Sequence, residues 1–309
     1  IDAHADEVKG FSGHVTVAGE LLVNAGAGDT GRELYIRDAV TSEFKLVADI
    51  IPGIFSSFPR GFINVDDIAY FLASTTDSSV ELFDYSPQSQ QVRQLTNLGA
   101  IGQAFSLARI VELNGHLYFS ADLDNGLGRE LYRFNLASGE VSLAADAIPG
   151  ASSSNPSQFL TLNGQIYFVG SAVSGGKALY HLDPTTETVT TVDLGGFASN
   201  IGSLVALQNR IYFSGQISGP GVGVFSFDPH TGEVYTVATT NGGTPASSIV
   251  AVAVDGTLYF TANSNDGAGD ELYSFEPAAS DEIRRVSDVF PGPKSSSPRG
   301  LVTDGRHVF

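Results

Sequence analysis

The sequence predicts an all-β fold, a β-propeller of four-stranded antiparallel blades, and three observations support this prediction. A turn followed by an apolar and aromatic strand recurs along the whole chain. The periodic segments are short and rich in Val, Ile, Tyr, Phe and Thr, as is typical of strands. No segment has the apolar periodicity of a helix.

The repeat is marked by the second residue of a hairpin turn, which is Gly19, Asp67, Gly115, Gly164, Asn209, Gly256 or Gly305. Successive spacings are 48, 48, 49, 45, 47 and 49 residues. In each unit an apolar strand precedes the turn and a strand such as "LYFSA" follows it. A third strand such as "ELYRFN", a fourth such as "VSLAAD" and a linker such as "DAIPGASSSNPS" complete the unit. Four short strands in such a period are typical of a propeller blade.

The domain organisation follows from this spacing. We expect a single domain over residues 1–309, because a blade must pack between neighbours and no linker divides the chain. The six repeats cover approximately 14–61, 62–109, 110–158, 159–204, 205–250 and 251–300. A C-terminal strand would then close the ring of six blades. Seven blades are the alternative, because "DGRHVF" at the end of the chain begins another unit.

Composition restricts the partners. The net charge is −18, from 34 acidic and 16 basic residues, so nucleic acid and anionic membrane surfaces are repelled. The chain has no Cys, which excludes disulfides and thiolate metal sites. No apolar run is long enough to span a membrane. Residue 1 is Ile, which indicates processing or a longer protein and is consistent with export.

Most of the repeated "ELY" motif is expected to serve packing. Its Leu residues alternate with polar neighbours and are predicted to point into the core between blades. Its Tyr residues offer a large apolar body with a hydroxyl that can reach a backbone group, and the "YF" pairs of the second strands are predicted to fill the space between blades. The prolines of the linkers, Pro52, Pro149 and Pro291, are predicted to make those passages rigid.

The acidic residue before Leu has two interpretations. Glu33, Glu81, Glu130 and Glu271 recur, whereas the fourth and fifth units lack the acid. Such a Glu can accept N–H bonds from the preceding Gly turn or pair with Arg32 or Arg129. The alternative is a Ca²⁺ site, because Asp and Asn around a Gly bend supply the hard oxygen ligands that calcium needs. The candidate ligands are Asp122, Asp124, Asn125 and Glu130 in one loop, and Asn263, Asn265, Asp266, Asp270 and Glu271 in another.

No catalytic motif stands out. The six histidines form neither an H-x-H nor an H-E-x-x-H string, and no G-x-S-x-G string is present, so neither a histidine zinc site nor a nucleophile elbow is indicated. The sequence therefore predicts no catalytic residues and no enzymatic activity.

The strings "GRELYIRD…DIIPGIFSSFPRGF", "GRELYRFN…DAIPGASSSNPS" and "DELYSFE…DVFPGPKSSSPRG" resemble the ELWxxDGT-type repeats of large secreted and surface bacterial proteins. Tyr stands here in place of the Trp of that pattern, and varied turns replace its Asp-Gly-Thr turn. The resemblance implies a β-propeller in an extracellular setting, and it brings no catalytic residues.

Together these features predict a non-enzymatic extracellular binding or structural module of a cell-surface or secreted assembly, stabilised by calcium. The expected partners are a protein or a glycan at the cell surface, or a second copy of the chain. The alternative is a hydrolase or lyase acting on polysaccharide or ester, with its site at the mouth of the central channel.

Overall fold

A computed structural model describes most of the chain as short strands. The described residues are 13–27, 29–38, 40–77, 79–98, 109–195, 201–216, 222–240, 251–263, 269–277, 283–287, 292, 294–296, 298, 301 and 306–308. They contain six four-stranded antiparallel sheets, in each of which the strands follow one another in chain order. Contacts divide the chain into two compact units, Ile1–Ser157 and Gln158–Phe309, with three sheets in each.

The first unit contains the first to third sheets. The first sheet is β1 (His14–Val17), β2 (Glu20–Gly26), β3 (Arg32–Arg37) and β4 (Phe44–Ala48). The second sheet is β5 (Arg60–Val65), β6 (Ile68–Ser74), β7 (Val80–Ser86) and β8 (Gln91–Gln94). The third sheet is β9 (Val111–Leu113), β10 (His116–Asp122), β11 (Arg129–Asn135) and β12 (Val141–Ala145).

The second unit contains the fourth to sixth sheets. The fourth sheet is β13 (Ser157–Leu162), β14 (Gln165–Ser171), β15 (Lys177–Asp183) and β16 (Thr188–Thr191). The fifth sheet is β17 (Gly202–Leu207), β18 (Arg210–Gln216), β19 (Val222–Phe227) and β20 (Val234–Thr240). The sixth sheet is β21 (Ala251–Val254), β22 (Thr257–Asn263), β23 (Asp270–Phe275) and β24 (Ile283–Arg285).

The turn between the first two strands of each sheet has the backbone that the sequence predicts. In the third sheet the φ angles of Asn114 and Gly115 are 53° and 74°. Two consecutive positive φ values are the signature of a type I′ turn, whose twist matches that of the flanking strands. Asn163 and Gly164, with φ of 52° and 73°, repeat this turn in the fourth sheet. The recurrent turn therefore sets the start of each sheet.

Within each unit the sheets pack through the motif residues. The first strands of neighbouring sheets contact one another, β1 with β5 and β17 with β21. The "ELY" leucines of the first four sheets are buried, as predicted: Leu34, Leu82, Leu131 and Leu179. Leu272 of the sixth sheet is only half-buried. The most deeply buried large side chains include Tyr118, Phe119, Phe168, Tyr212 and Phe213, so the aromatic pairs form much of the core.

The predicted all-β fold with six four-stranded sheets is confirmed. The expectation of one domain over residues 1–309 stays a prediction. The chain divides into its two compact units after Ser157, one residue before the predicted boundary between the third and fourth repeats. Pairing of the C-terminal segment with the N-terminus involves residues that lie largely outside the described ones. In the described part of the chain, no helix has the length and hydropathy needed to cross a bilayer.

Candidate functional site

The recurring acid of the "ELY" motif is buried in all four sheets that carry it. Glu33, Glu130 and Glu271 have an exposed fraction of 0%, and that of Glu81 is 1%. A carboxylate removed from water must accept hydrogen bonds, because desolvation of its charge is otherwise costly. The donors identify what each of these residues does.

In the first sheet, the donors come from the linker of residues 49–59, the first linker. Glu33 Oε1 accepts the Ser57 backbone N–H at 2.8 Å, and Glu33 Oε2 accepts the Ser57 hydroxyl at 2.5 Å. The Ile50 N–H donates to the same Oε2 at 2.9 Å. The two partners predicted from the sequence, the N–H groups of the preceding Gly turn or Arg32, did not include these linker donors. The carboxylate reaches instead across the end of the sheet to the chain that leaves it.

The same arrangement recurs in the third sheet, whose linker of residues 146–156 is called the third linker. Glu130 Oε1 accepts the Ser154 N–H at 2.6 Å, Oε2 accepts the Ser154 hydroxyl, and the Ala147 N–H donates to Oε2 at 3.2 Å. In the sixth sheet Glu271 accepts the Ser296 N–H at 3.0 Å and the Ser296 hydroxyl at 2.6 Å. We call each of these carboxylates, with its linker donors, a linker anchor.

The second sheet has a variant of the linker anchor. Glu81 accepts the hydroxyl of Thr96 at 2.6 Å and the N–H of Leu98 at 2.9 Å. The Thr96 hydroxyl oxygen accepts the Leu82 N–H at 2.9 Å in turn. The Leu98 N–H corresponds to those of Ile50 and Ala147, each 17 residues after its Glu, whereas Thr96 follows Glu81 by only 15 residues and supplies its hydroxyl from a different position than the serines.

A second serine completes each full anchor. The Ser56 hydroxyl accepts the Arg32 N–H at 2.8 Å, and the Ser153 hydroxyl accepts the Arg129 N–H at 2.9 Å. Ser295 receives the Asp270 N–H in the same way, at 2.8 Å. The repeated Ser-Ser pair of the linkers thus bonds both the backbone and the carboxylate at the start of the third strand.

The titration of the anchors reflects burial. Loss of solvation raises the pKa of the Glu33 and Glu130 carboxyls above their ordinary value, while the bonds from Ser57 and Ser154 oppose this rise. The carboxyls of Asp49 and Asp146, one near each Glu, raise the pKa slightly further. A perturbed carboxyl can mark a catalytic acid, but here its oxygens are engaged by the linker.

The first predicted calcium loop includes Glu130, the carboxylate of the third-sheet anchor. The Asp122 carboxylate accepts the Asp124 N–H at 3.2 Å, and the Asn125 amide donates to the Tyr132 hydroxyl at 2.8 Å. Glu130 is directed to Ser154 and Ala147. The described residues bring no three His, Cys, Asp or Glu side chains together as a metal site. Calcium binding at this loop stays a prediction.

The second predicted calcium loop is described only at its ends. Asn265 and Asp266 lie outside the described residues, as does the side chain of Asn263. Asp270 begins β23 and is half-buried, and Glu271 belongs to the anchor of the sixth sheet. Calcium binding here also stays a prediction.

The first linker exposes a set of apolar side chains that sequence analysis did not single out. The exposed fractions are 74% for Ile54, 67% for Phe55 and 49% for Phe58. With Ile51 and Pro52 they form what we call the first-linker surface. At the corresponding positions the third linker has Ala151, Ser152 and Asn155. A comparison of the linkers by position, with the Ser-Ser pairs aligned, could have found this difference.

The first-linker surface borders a cleft of about 750 Å³. The lining residues are Ile51, Pro52, Ile54, Phe55, Ser56, Phe58, Ser74, Thr75 and Thr76. Ligand sites are typically concave, mostly apolar and of about 300–1,000 Å³, so this cleft has the size and lining of a binding site. All of these residues lie within the first unit.

Comparisons with known proteins identify the fold class. The chain is similar to an oligogalacturonate lyase solved in complex with manganese, with 14% identity and a TM-score of 0.60, covering 87% of this chain and 74% of the lyase. It is also similar to the β-propeller domain of the Trilobed protease from Pyrococcus furiosus, with 12% identity and a TM-score of 0.55, over 91% of this chain and 83% of that domain. A puromycin-hydrolyzing peptidase of Mycobacterium tuberculosis matches with 10% identity and a TM-score of 0.63, over 94% of this chain and 46% of the peptidase.

The six four-stranded sheets and these similarities show that the chain has a β-propeller fold, with six blades. At such low identities the likeness establishes the fold alone. No protein-family model matches the sequence, and no curated protein matches it either. The activities named for the similar structures are those of the similar proteins, because propellers carry many unrelated functions.

Proposed function

We propose that this propeller is a non-enzymatic binding and structural module of a cell-surface or secreted assembly. One observation carries the proposal. The linker anchor is the same in the first and third linkers, whereas three exposed positions beside its Ser-Ser pair differ: Ile54, Phe55 and Phe58 in the first linker, and Ala151, Ser152 and Asn155 in the third. A constant support that presents variable side chains is the arrangement of a recognition surface.

The recurrent polar groups of the chain support the non-enzymatic part of the proposal. Linker donors engage the four recurring carboxylates, those of Glu33, Glu81, Glu130 and Glu271. Within the anchors these carboxylates bond only hydroxyl and backbone N–H groups of the linkers. The extracellular setting is supported by the acidic composition and by the resemblance to repeats of secreted and surface proteins.

The experiment combines binding and turnover on one preparation. Labelled chain is applied to a peptide array and to a glycan array, and the same chain is incubated with oligogalacturonate, a nitrophenyl ester and an aminoacyl anilide. We expect saturable binding to at least one array and no turnover above buffer. Turnover of any of the three substrates would contradict the proposal and support the enzymatic alternative. Absence of binding on both arrays would contradict it as well.

A further inference from the structure

We propose that the first-linker surface binds a peptide segment that carries a large apolar side chain flanked by basic residues. The inference rests on the proposed binding function and specifies its partner. Four features carry it: the exposure of Ile54, Phe55 and Phe58, the backbone of Phe58, the lining of the cleft and the charge around it.

The fold does not need these apolar side chains. The third linker keeps the same anchor and the same backbone bonds with Ala151, Ser152 and Asn155. The N–H of Phe58 donates to the Arg32 carbonyl at 3.2 Å, and that of Asn155 donates to the Arg129 carbonyl at 3.1 Å. Three large apolar groups are therefore exposed to water where small or polar residues meet the structural requirement.

Phe58 is also an unfavourable residue for its backbone. Both Phe58 and Asn155 have a φ of 48°. Asn tolerates this left-handed conformation, whereas a bulky residue there is an outlier that costs about 1–2 kcal/mol. A residue that lowers stability and is half-exposed indicates a role outside folding. The aromatic ring is the property that Phe58 has and Asn155 lacks.

The lining of the cleft favours a peptide side chain over a sugar. No charged side chain is among the lining residues, and five of the nine are apolar. Two of the four lining hydroxyls are already engaged: Ser56 accepts the Arg32 N–H, and Thr75 bonds Asp77 and Ser79. An apolar side chain that enters this cleft is desolvated against its five apolar residues.

Charge favours basic residues next to that side chain. Asp29 and Asp77 are exposed and Asp49 is half-buried on the segments that border the cleft. The cations on the same segments, Arg32 and Arg60, are both half-buried, and Arg60 donates to the Phe58 carbonyl. The whole chain carries a net charge of −18, which opposes a second copy or an acidic partner and attracts a basic one.

The decisive variant gives the first linker the exposed residues of the third: Ile54→Ala, Phe55→Ser and Phe58→Asn together. The matched control is Val173→Ser, which removes an apolar side chain that is 82% exposed in the second unit. We expect the triple variant to melt no lower than the unchanged chain, because Asn is the better residue at the positive φ of position 58.

The probes are three fluorescent peptides and one glycan, with binding followed by anisotropy. The peptides have the sequences KKLFKK, EELFEE and KKSSKK with blocked ends, and the glycan is cellohexaose. We expect KKLFKK to bind the unchanged chain and the Val173→Ser control equally. The triple variant is expected to bind it at least about tenfold more weakly. Added NaCl is expected to weaken the binding, because it screens the carboxylates.

Several results would overturn the inference. These are equal binding of KKLFKK by the triple variant, equal binding of EELFEE or KKSSKK by the unchanged chain, and loss of folding in the triple variant. If cellohexaose binds at the cleft and KKLFKK does not, the peptide inference is overturned, but the proposed binding function is retained. Turnover in the enzymatic assays would instead remove the proposed function itself, so the two failures are distinguishable.

Discussion

Each buried glutamate accepts two or three hydrogen bonds from its linker. Glu130 is the clearest case, since it receives the Ser154 N–H, the Ser154 hydroxyl and the Ala147 N–H. Ser154 is itself fully buried. Removal of the carboxylate would therefore leave donors without water or protein to accept them.

At this scale we predict that Glu130→Ala lowers the free energy of unfolding by about 3 kcal/mol. The control is Glu140→Ala, which changes an exposed residue of the turn between β11 and β12 and is expected to stay within about 0.5 kcal/mol. Urea unfolding of the two variants beside the unchanged chain measures both effects. Equal effects would show that the anchor contributes nothing to stability.

The sequence predicted part of this residue-level picture. Alternation along "ELYRFN" predicted burial of Leu131, and the large apolar body of Tyr132 predicted burial of that residue; both are buried. The partner of Glu130 was not predictable in the same way, because Ser154 follows 24 residues later in a linker without regular structure. Periodicity tells which face a side chain occupies, but it does not tell where an irregular segment folds back. The positive φ of Phe58 was not predictable either, because Phe58 also lies in an irregular linker.

At the scale of the elements, the loop before the third strand packs closely on the linker. A Cβ added at Gly31, whose φ is 64°, would lie 2.0 Å from the Phe55 carbonyl oxygen. At Gly128, whose φ is 73°, it would lie 2.6 Å from the Ser153 hydroxyl. Gly139 in the next turn has a similar φ of 75° with no atom within 4 Å. The first two glycines thus provide both the backbone conformation and the space for the linker.

We predict that Gly139→Ala destabilises by about 1–2 kcal/mol through its left-handed backbone alone. Gly31→Ala is expected to cost about 1–3 kcal/mol more, because backbone must move to remove the clash with Phe55. Thermal unfolding of both variants gives the difference. If the two variants melt at the same temperature, the close approach of loop and linker is not needed for stability.

The sequence also shows where the anchor is lost. In the fourth sheet Ala178 replaces the acid, and the segment after β16 has neither the Pro-Gly nor the Ser-Ser string of the first, third and sixth linkers. The Val192 N–H donates to the Leu179 carbonyl at 2.8 Å, a backbone bond that the second and sixth sheets also have. The fourth sheet thus keeps this backbone bond and lacks both the carboxylate and the Ser-Ser pair.

At the scale of the whole molecule, the charge of −18 makes cations a determinant of stability. Self-repulsion destabilises a compact acidic chain, and salt screens it. A specific calcium site would add stabilisation beyond screening, because a ligand that binds only the folded state shifts the unfolding equilibrium.

We predict that CaCl2 raises the melting temperature more than MgCl2 at the same concentration, and that EDTA reverses the difference. At a hundredfold excess over Kd, the additional stabilisation is about 2.7 kcal/mol. A variant with Asp122→Ala and Asp124→Ala is expected to lose the share of the calcium stabilisation that comes from the third-sheet loop. Equal shifts with the two salts would leave only screening and contradict the calcium proposal.

The overall architecture was the most predictable level. A spacing of 45 to 49 residues between hairpin turns predicted the six sheets, because the Asn-Gly and Asp-Gly turns have a strong local preference. The proposed use of the first-linker surface was not predictable from the repeat, since it depends on exposed residues that depart from the pattern. Repetition identifies what the fold requires, and our binding proposal rests on the exceptions to it.

The linker anchors have a consequence for the order of folding. The Glu and Ser of each full anchor are only 24 or 25 residues apart, so joining them closes a short loop at a modest entropic cost. Contacts between residues near in sequence favour rapid folding. A sheet can therefore fix the direction of the chain that leaves it before the next sheet has formed, so the linker anchors favour assembly of the molecule from one blade to the next.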